Sequence, residues 1–169
     1  MGRLWLLRHA KSSWDDPGVP DRLRPLAPRG VRAAGAVERH LRATAVAPDL
    51  VLCSPARRAV QTWQGVAPGV PPGTPVDIDE AIYDADGDDL LARLREVPAR
   101  IGSVLLIGHN PGVQDLAVDL VGSGDGGLRE RLVAKFPTGA LATLEVQGDW
   151  RELAWGAAKL LAFVVPREL

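Results

Sequence analysis

The stretch Leu4-Trp5-Leu6-Leu7-Arg8-His9-Ala10-Lys11-Ser12-Ser13 decides the fold. An apolar run stops abruptly at an arginine and a histidine. A continuous apolar run, as opposed to an alternating one, is what a strand buried on both faces requires, and such strands belong to parallel sheets covered by helices. A lone histidine beside an apolar run is more often a hydrogen-bonded core residue than a catalyst, so His9 gains weight only through repetition. The pattern recurs twice. Leu50-Val51-Leu52-Cys53 leads into Ser54-Pro55-Ala56-Arg57-Arg58-Ala59-Val60-Gln61-Thr62, and Ser103-Val104-Leu105-Leu106-Ile107 leads into Gly108-His109-Asn110-Pro111-Gly112.

Between these runs the sequence carries helical periodicity. Val31, Ala34, Val37 and Leu41 predict an amphipathic helix from Pro28 to about Thr44, with the proline suited to the first turn. On it His40, among Glu38, Arg39 and Arg42, reads as solvated. Ser54 followed by Pro55 predicts a capped helix start reaching to about Ala67. Val76 to Ile78 reads as a short edge strand, and an acidic cluster from Asp77 to Asp89 leads into a helix over roughly 88–97. A further helix carries Val113, Leu116, Ala117, Leu120 and Val121, and Gly122 to Gly127 reads as a flexible loop. Ala140 to Val146 alternates as a strand, Gly148-Asp149 suits a hairpin turn into a strand near Trp150 to Trp155, and Leu160 to Val165 closes the sheet or packs on it. Trp5, Trp63, Trp150 and Trp155 read as packing residues.

This alternation specifies an α/β fold: a three-layer α/β/α sandwich whose central sheet is mostly parallel, with helices on both faces. The length of 169 residues suits a single domain over 1–169. A net charge of −1 gives no reason to expect nucleic acid or an anionic membrane as partner, so any anion site is built locally. No segment approaches the ~20 apolar residues of a membrane span, and the apolar stretch after Met1 is too short for a signal-peptide core. The lone cysteine, Cys53, excludes an intrachain disulfide and reads as a core residue; a reducing cytoplasm is the expected location.

In open α/β sheets ligands bind outside the carboxyl ends of the strands. That edge collects Arg8, His9, the Ser54 to Arg58 segment and His109, and two histidines with two or more arginines and helix N-termini describe an anion pocket suited to a phosphoryl group. A metal centre is disfavoured, because no carboxylate or cysteine accompanies the histidines and the arginines would repel a cation. A serine hydrolase lacks its Gly-x-Ser-x-Gly elbow, and no Gly-x-Gly-x-x-Gly follows the first strand for a dinucleotide. The long loop from His9 to about Pro28 exceeds ordinary connections and is a candidate for function, with Trp14 either a loop anchor or a wall of the substrate mouth. Arg57 points about 100° away from Arg58 on a helix, toward the surface or the rim.

Arg8-His9-Ala10, Arg24-Pro25-Leu26, Ser54-Pro55-x-x-Arg58-Ala59-x-Gln61-Thr62 and Gly108-His109-Asn110-Pro111 together, in this order, resemble the histidine phosphatase superfamily and its small SixA-like phosphohistidine phosphatase branch. The resemblance spans residue 4 to about 122. It implies a phosphoglycerate-mutase-like fold and a phosphatase working through a covalent phosphohistidine. In that reading His9 is the nucleophile, and Arg8, Arg58 and His109 share the catalytic work. Arg8, Arg24, Arg58 and a protonated His109 hold the phosphate. A neutral imidazole can attack phosphorus, and arginine forks around the equatorial oxygens can stabilise the charge. No metal or organic cofactor is then required. The substrate implied is a phosphorylated protein carrying phosphohistidine, or else a small phosphorylated molecule; a phosphate-sensing or phosphoprotein-binding module is the non-enzymatic alternative. Ala10 stands where the broad superfamily has glycine. Glu80, near Tyr83 and Asp84, is the candidate general acid, and an imidazole leaving group could do with little help from it.

Overall fold

The computed structural model describes all of residues 1–169. Its strands are β1 (Gly2–Arg8), β2 (Leu50–Cys53), β3 (Val76–Ile78), β4 (Ser103–Gly108), β5 (Val121–Gly124), β6 (Leu141–Val146) and β7 (Ala158–Val164). The helices are α1 (Pro28–Ala43), α2 (Arg57–Val66), α3 (Gly87–Arg95), α4 (Gly112–Leu120) and α5 (Gly126–Ala134). The strands form one sheet in the order β3-β2-β4-β1-β6-β7-β5, and only β6 runs against the others.

The continuous apolar runs divide their side chains between two cores. Leu4 and Leu6 of β1, with Val104 and Leu106 of β4, face α3, α4 and α5. Trp5 and Leu7, with Leu105 and Ile107, face α1 and α2 through Ala34, Val37, Leu41, Ala59 and Val66. Helices therefore cover both faces, as the apolar runs require. Several carboxylates of the acidic cluster serve this framework. Asp86 and Asp89 cap α3 reciprocally, at 2.8 and 3.0 Å, and Asp77 and Asp79 pair with Arg93.

Local expectations needed correction in several places. Val31 is exposed, and Gly30 takes the buried place beside it, because a Cβ at Gly30 would collide with the Lys11 carbonyl. Helix α2 begins at Arg57 after Ala56, so Ser54 does not cap it; its hydroxyl accepts from the Ala56 amide at 3.2 Å and is turned toward the sheet edge. The expected loop 122–127 holds β5 and the start of α5. Glycines hide that strand from a propensity reading: a Cβ at Gly122 would strike the Gly156 carbonyl, and Gly124 has φ +122°. Helix α5 buries only Leu132, so its apolar pattern is faint. Residues 150–155 are not a strand: Trp150–Glu152 form a single helical turn, anchored by the Trp150 indole donating to the Ile101 carbonyl at 2.6 Å, and Trp155 is exposed. The terminal run does close the sheet, as β7 between β6 and β5.

Candidate active site

Strand order fixes the site. Strand β4 lies between β2 and β1, and the three end level with one another: Arg8 is in register with Gly108, and Cys53 with Ile107. The residues that follow stay in step, the His9 amide donating to the Gly108 carbonyl and the Ser54 amide to the Ile107 carbonyl, each at 3.0 Å. His109 thus leaves the middle strand flanked by His9 and Ser54. The chain lays β2 and β3 on one side of β1 and β6, β7 and β5 on the other, so this is also where strand order reverses.

His9 is buried, and its Nδ1 lies 2.7 Å from the Ala10 carbonyl. A carbonyl only accepts, so Nδ1 carries the proton and Nε2 keeps its lone pair. Burial foremost, with His109, Arg58 and Arg8 adding repulsion against the pull of the Ala10 carbonyl, pushes the His9 imidazole down to about 3. It is a neutral nitrogen base of fixed tautomer. The motif residues after Arg58 hold the segment around it. The Thr62 hydroxyl accepts from the Ala10 amide at 3.0 Å and donates to the Arg58 carbonyl at 2.7 Å, and Gln61 Oε1 accepts from the Leu26 amide at 2.7 Å.

His109 stands 5.2 Å from His9 between ring centroids. Arg58 approaches its Nδ1 at 3.3 Å and can only donate, so Nε2 bears the hydrogen and donates to Ser54 Oγ at 2.6 Å. Burial and then the Arg58 charge lower this imidazole to about 4. Burial first and then Arg58 favour a neutral His109 ring in the protein's own field, whereas the resemblance implies a protonated ring beside a phosphate. Phosphate oxygens would reverse that balance by offsetting Arg58 and Arg8.

Arg8 donates to the Phe136 carbonyl at 3.0 Å, sharing that acceptor with the Asn110 side-chain amide, also at 3.0 Å. Desolvation, with Arg58 nearby, lowers the Arg8 guanidinium from its usual range. Arg58 is held from the opposite side, donating to the Asp21 carbonyl at 2.7 Å and to Asp21 Oδ2 at 3.2 Å. The same carboxylate accepts from the Tyr83 hydroxyl at 2.6 Å, and this bond foremost keeps Asp21 below the ordinary carboxylate range. The Tyr83 ring meets His109 edge-on at 5.7 Å. Arg8 Nε and Asn110 Oδ1 here, and Arg24 Nε in the long loop, are buried without a protein partner.

The sequence-derived residues divide accordingly. Arg8, His9, Arg58 and His109 come together at one sheet edge. Arg24 is buried in the wall of the long loop, where its guanidinium stacks 3.8 Å from the exposed Trp14 ring and reaches the Asp16 carbonyl at 3.5 Å. Its link to the pocket is the 21–23 helical turn, which the Arg24 amide closes onto the Asp21 carbonyl that Arg58 also uses. Arg57 is exposed. Glu80 lies at the surface, ion-paired with Arg22, whose guanidinium also sits over the Tyr83 ring. Sequence reasoning missed Asp21 and Phe136, and mentioned Tyr83 only as a neighbour of the candidate acids. A single carboxylate in a loop and a main-chain carbonyl carry no pattern that spacing could reveal.

The sequence profile of the histidine phosphatase superfamily (branch 1) matches residues 4–103. An uncharacterized protein of Mycobacterium tuberculosis is 39% identical over 163 residues, covering 95% of this chain and all of that protein. Among solved structures, a protein assigned as the phosphohistidine phosphatase SixA of Nakamurella multipartitia superposes with a TM-score of 0.85 at 32% identity, over 98% of this chain and 96% of its own. One given the same assignment from Agrobacterium tumefaciens superposes with a TM-score of 0.83 at 29% identity, over 98% of each chain.

Proposed function

The chain belongs to the histidine phosphatase superfamily, and from that premise we propose that it removes phosphate from phosphohistidine on proteins, through a phosphoenzyme formed on His9. The carrying observation is the His9 tautomer. With Nδ1 committed to the Ala10 carbonyl and the ring kept neutral, Nε2 is a ready nucleophile beside Arg8, Arg58 and His109. In the first step Nε2 bonds to phosphorus, the substrate's P–N bond breaks, and the imidazole, already protonated on its free ring nitrogen, departs neutral. In the second, water attacks the phosphorylated His9; the new P–N bond breaks, releasing inorganic phosphate, a proton and free His9. Arg8 and Arg58, fixed by Phe136 and Asp21, supply the positive charge around the equatorial oxygens, and Arg24 closes the loop side. The dianion draws a proton onto His109, which then joins the donors. The reading takes 1–169 as one catalytic unit working in the cytoplasm.

The substrate class follows from the proton donors. Asp21, the carboxylate that touches Arg58 and Tyr83, is held ionised and so is a poor acid. Glu80 is engaged by Arg22. An alkoxide leaving group needs an acid as its bond breaks, whereas the free ring nitrogen of a phosphoimidazole takes up a proton beforehand and lets the group leave as neutral imidazole, so phosphohistidine is favoured over alkyl phosphomonoesters. The test incubates enzyme with a phosphohistidine peptide and a phosphoserine peptide in parallel. The phosphohistidine peptide should turn over the faster, and His9→Ala should abolish both turnover and the acid-labile phosphoenzyme. Labelling that persists in the variant refutes the nucleophile, and faster phosphoserine hydrolysis refutes the substrate.

A further inference from the structure

A basic groove of about 570 Å³ lies between the first turns of α1, the 135–138 segment and the chain's end at 165–167. Lys11, Arg29, Arg32, Lys135 and Arg167 line it, and no acidic residue does, in a chain whose net charge is −1. Arginines elsewhere in the molecule pair with carboxylates, among them Arg22, Arg42, Arg93 and Arg131. None of the five groove cations forms a salt bridge or a side-chain hydrogen bond. Two of them also defy helix electrostatics. Arg29 and Arg32 sit at the positive end of α1, whose first turn contains no acid to offset them. Each such cation is mildly unfavourable at a helix start, and a bound anion would offset it. The floor between the charges is apolar, with Ala33, Ala36 and Pro166.

The groove backs directly onto the catalytic segments. Lys11 follows His9 by two positions, and its carbonyl receives the Ala27 amide at 2.9 Å at the entry to α1. On the other wall, Pro137 and Thr138 lie between the Phe136 carbonyl that holds Arg8 and the Gly139 amide, which donates to the Arg8 and His9 carbonyls at 3.0 Å. A volume within the ~300–1,000 Å³ of ordinary ligand sites accommodates a short run of side chains.

We propose that this groove receives an acidic segment of the phosphoprotein substrate while its phosphohistidine occupies the His9 pocket; the proposal rests on the phosphatase reading above. Carboxylates on the segment meet the five free cations, and an apolar side chain settles on the alanine and proline floor. Such pairing acts mainly on encounter and on binding, so it sets KM and leaves the chemical step alone.

The test combines binding and turnover. Fluorescence anisotropy of an unphosphorylated glutamate-rich peptide should show binding that weakens as ionic strength rises. Absence of such binding in the wild-type protein overturns the groove whatever the turnover data show. If the peptide binds but no phosphohistidine peptide is hydrolysed, the phosphatase reading fails, and with it the assignment of the bound segment to a substrate. Arg29→Glu combined with Arg32→Glu should raise KM for a phosphohistidine peptide flanked by glutamates about tenfold, with kcat unchanged. A peptide flanked by serine and glycine, and the small donor phosphoramidate, should be unaffected. Equal losses on all three donors, or none on the acidic one, refute the proposal. Arg29→Gln with Arg32→Gln should give a smaller loss of the same kind. Because acids suit a helix start, the Glu variant should melt no lower than wild type, which separates lost docking from lost folding.

Discussion

Thr62→Val tests whether the nucleophile is positioned by the helix that carries Arg58. The exchange keeps the shape of a side chain that is 1% exposed and deletes its hydroxyl. That hydroxyl accepts from the Ala10 amide at 3.0 Å and donates to the Arg58 carbonyl at 2.7 Å. The Arg58 carbonyl can still accept the main-chain bond of α2, so it is not orphaned. The Ala10 amide, in a residue that is fully buried, has no such alternative. Leaving a buried amide unsatisfied costs about 1–3 kcal/mol. In a chain of this size that lowers Tm by roughly 3–10 °C, which thermal or urea unfolding would read. Ala10 also holds the tautomer of His9 through its carbonyl, so a shift of its peptide moves the attacking nitrogen. A misplacement of this kind is worth up to ~100-fold in kcat. Thr62→Ser, which restores the hydroxyl, should recover most of kcat while remaining somewhat destabilised by the lost methyl. A valine variant with full kcat, or a serine variant as impaired as valine, would refute the positioning argument.

Ser54→Ala removes the acceptor of the His109 Nε2 hydrogen, and kcat/KM for phosphohistidine peptide should fall about 10-fold with a smaller change in KM. Asp21→Asn removes the negative charge shared by Arg58 and Tyr83 while keeping the main-chain bond to Arg58; kcat should fall while Tm changes little, since Asp21 is largely exposed. Gly30→Ala should cost about 1–3 kcal/mol by driving α1 away from the Lys11 carbonyl, measurable by urea unfolding. Stability should also fall on acidification. His9 and His109 have native values of about 3 and about 4 against an unfolded 6.5, so between those limits the unfolded chain binds more protons and is favoured as pH falls. For His9 the loss amounts to about 3 kcal/mol at pH 4, and unfolding midpoints that are flat from pH 7 to 4 would contradict it.

Sequence alone determined the parts that depend on local pattern. Four- or five-residue apolar runs without alternation, each ending in a polar or glycine-proline segment, fit strands covered on both faces, so β1, β2 and β4 and the layered architecture are legible in the sequence. The end of each run then marked Arg8, His9, Ser54 to Arg58 and His109, because parallel strands all present their carboxyl ends on one side. Helix α3 and its acidic approach were equally plain.

Tertiary structure decided what pattern cannot encode. That β4 inserts between β1 and β2, placing His109 between His9 and Ser54, is a matter of strand order, which arises from long-range packing. The tautomers of both histidines depend on single neighbours, the Ala10 carbonyl for one and Arg58 for the other. Asp21 and Tyr83 join the site because loops far apart in sequence meet over Arg58, and Glu80 pairs at the surface with Arg22. Five scattered cations became one groove for the same reason. Charges act through space, and only the folded chain sets which of them are near.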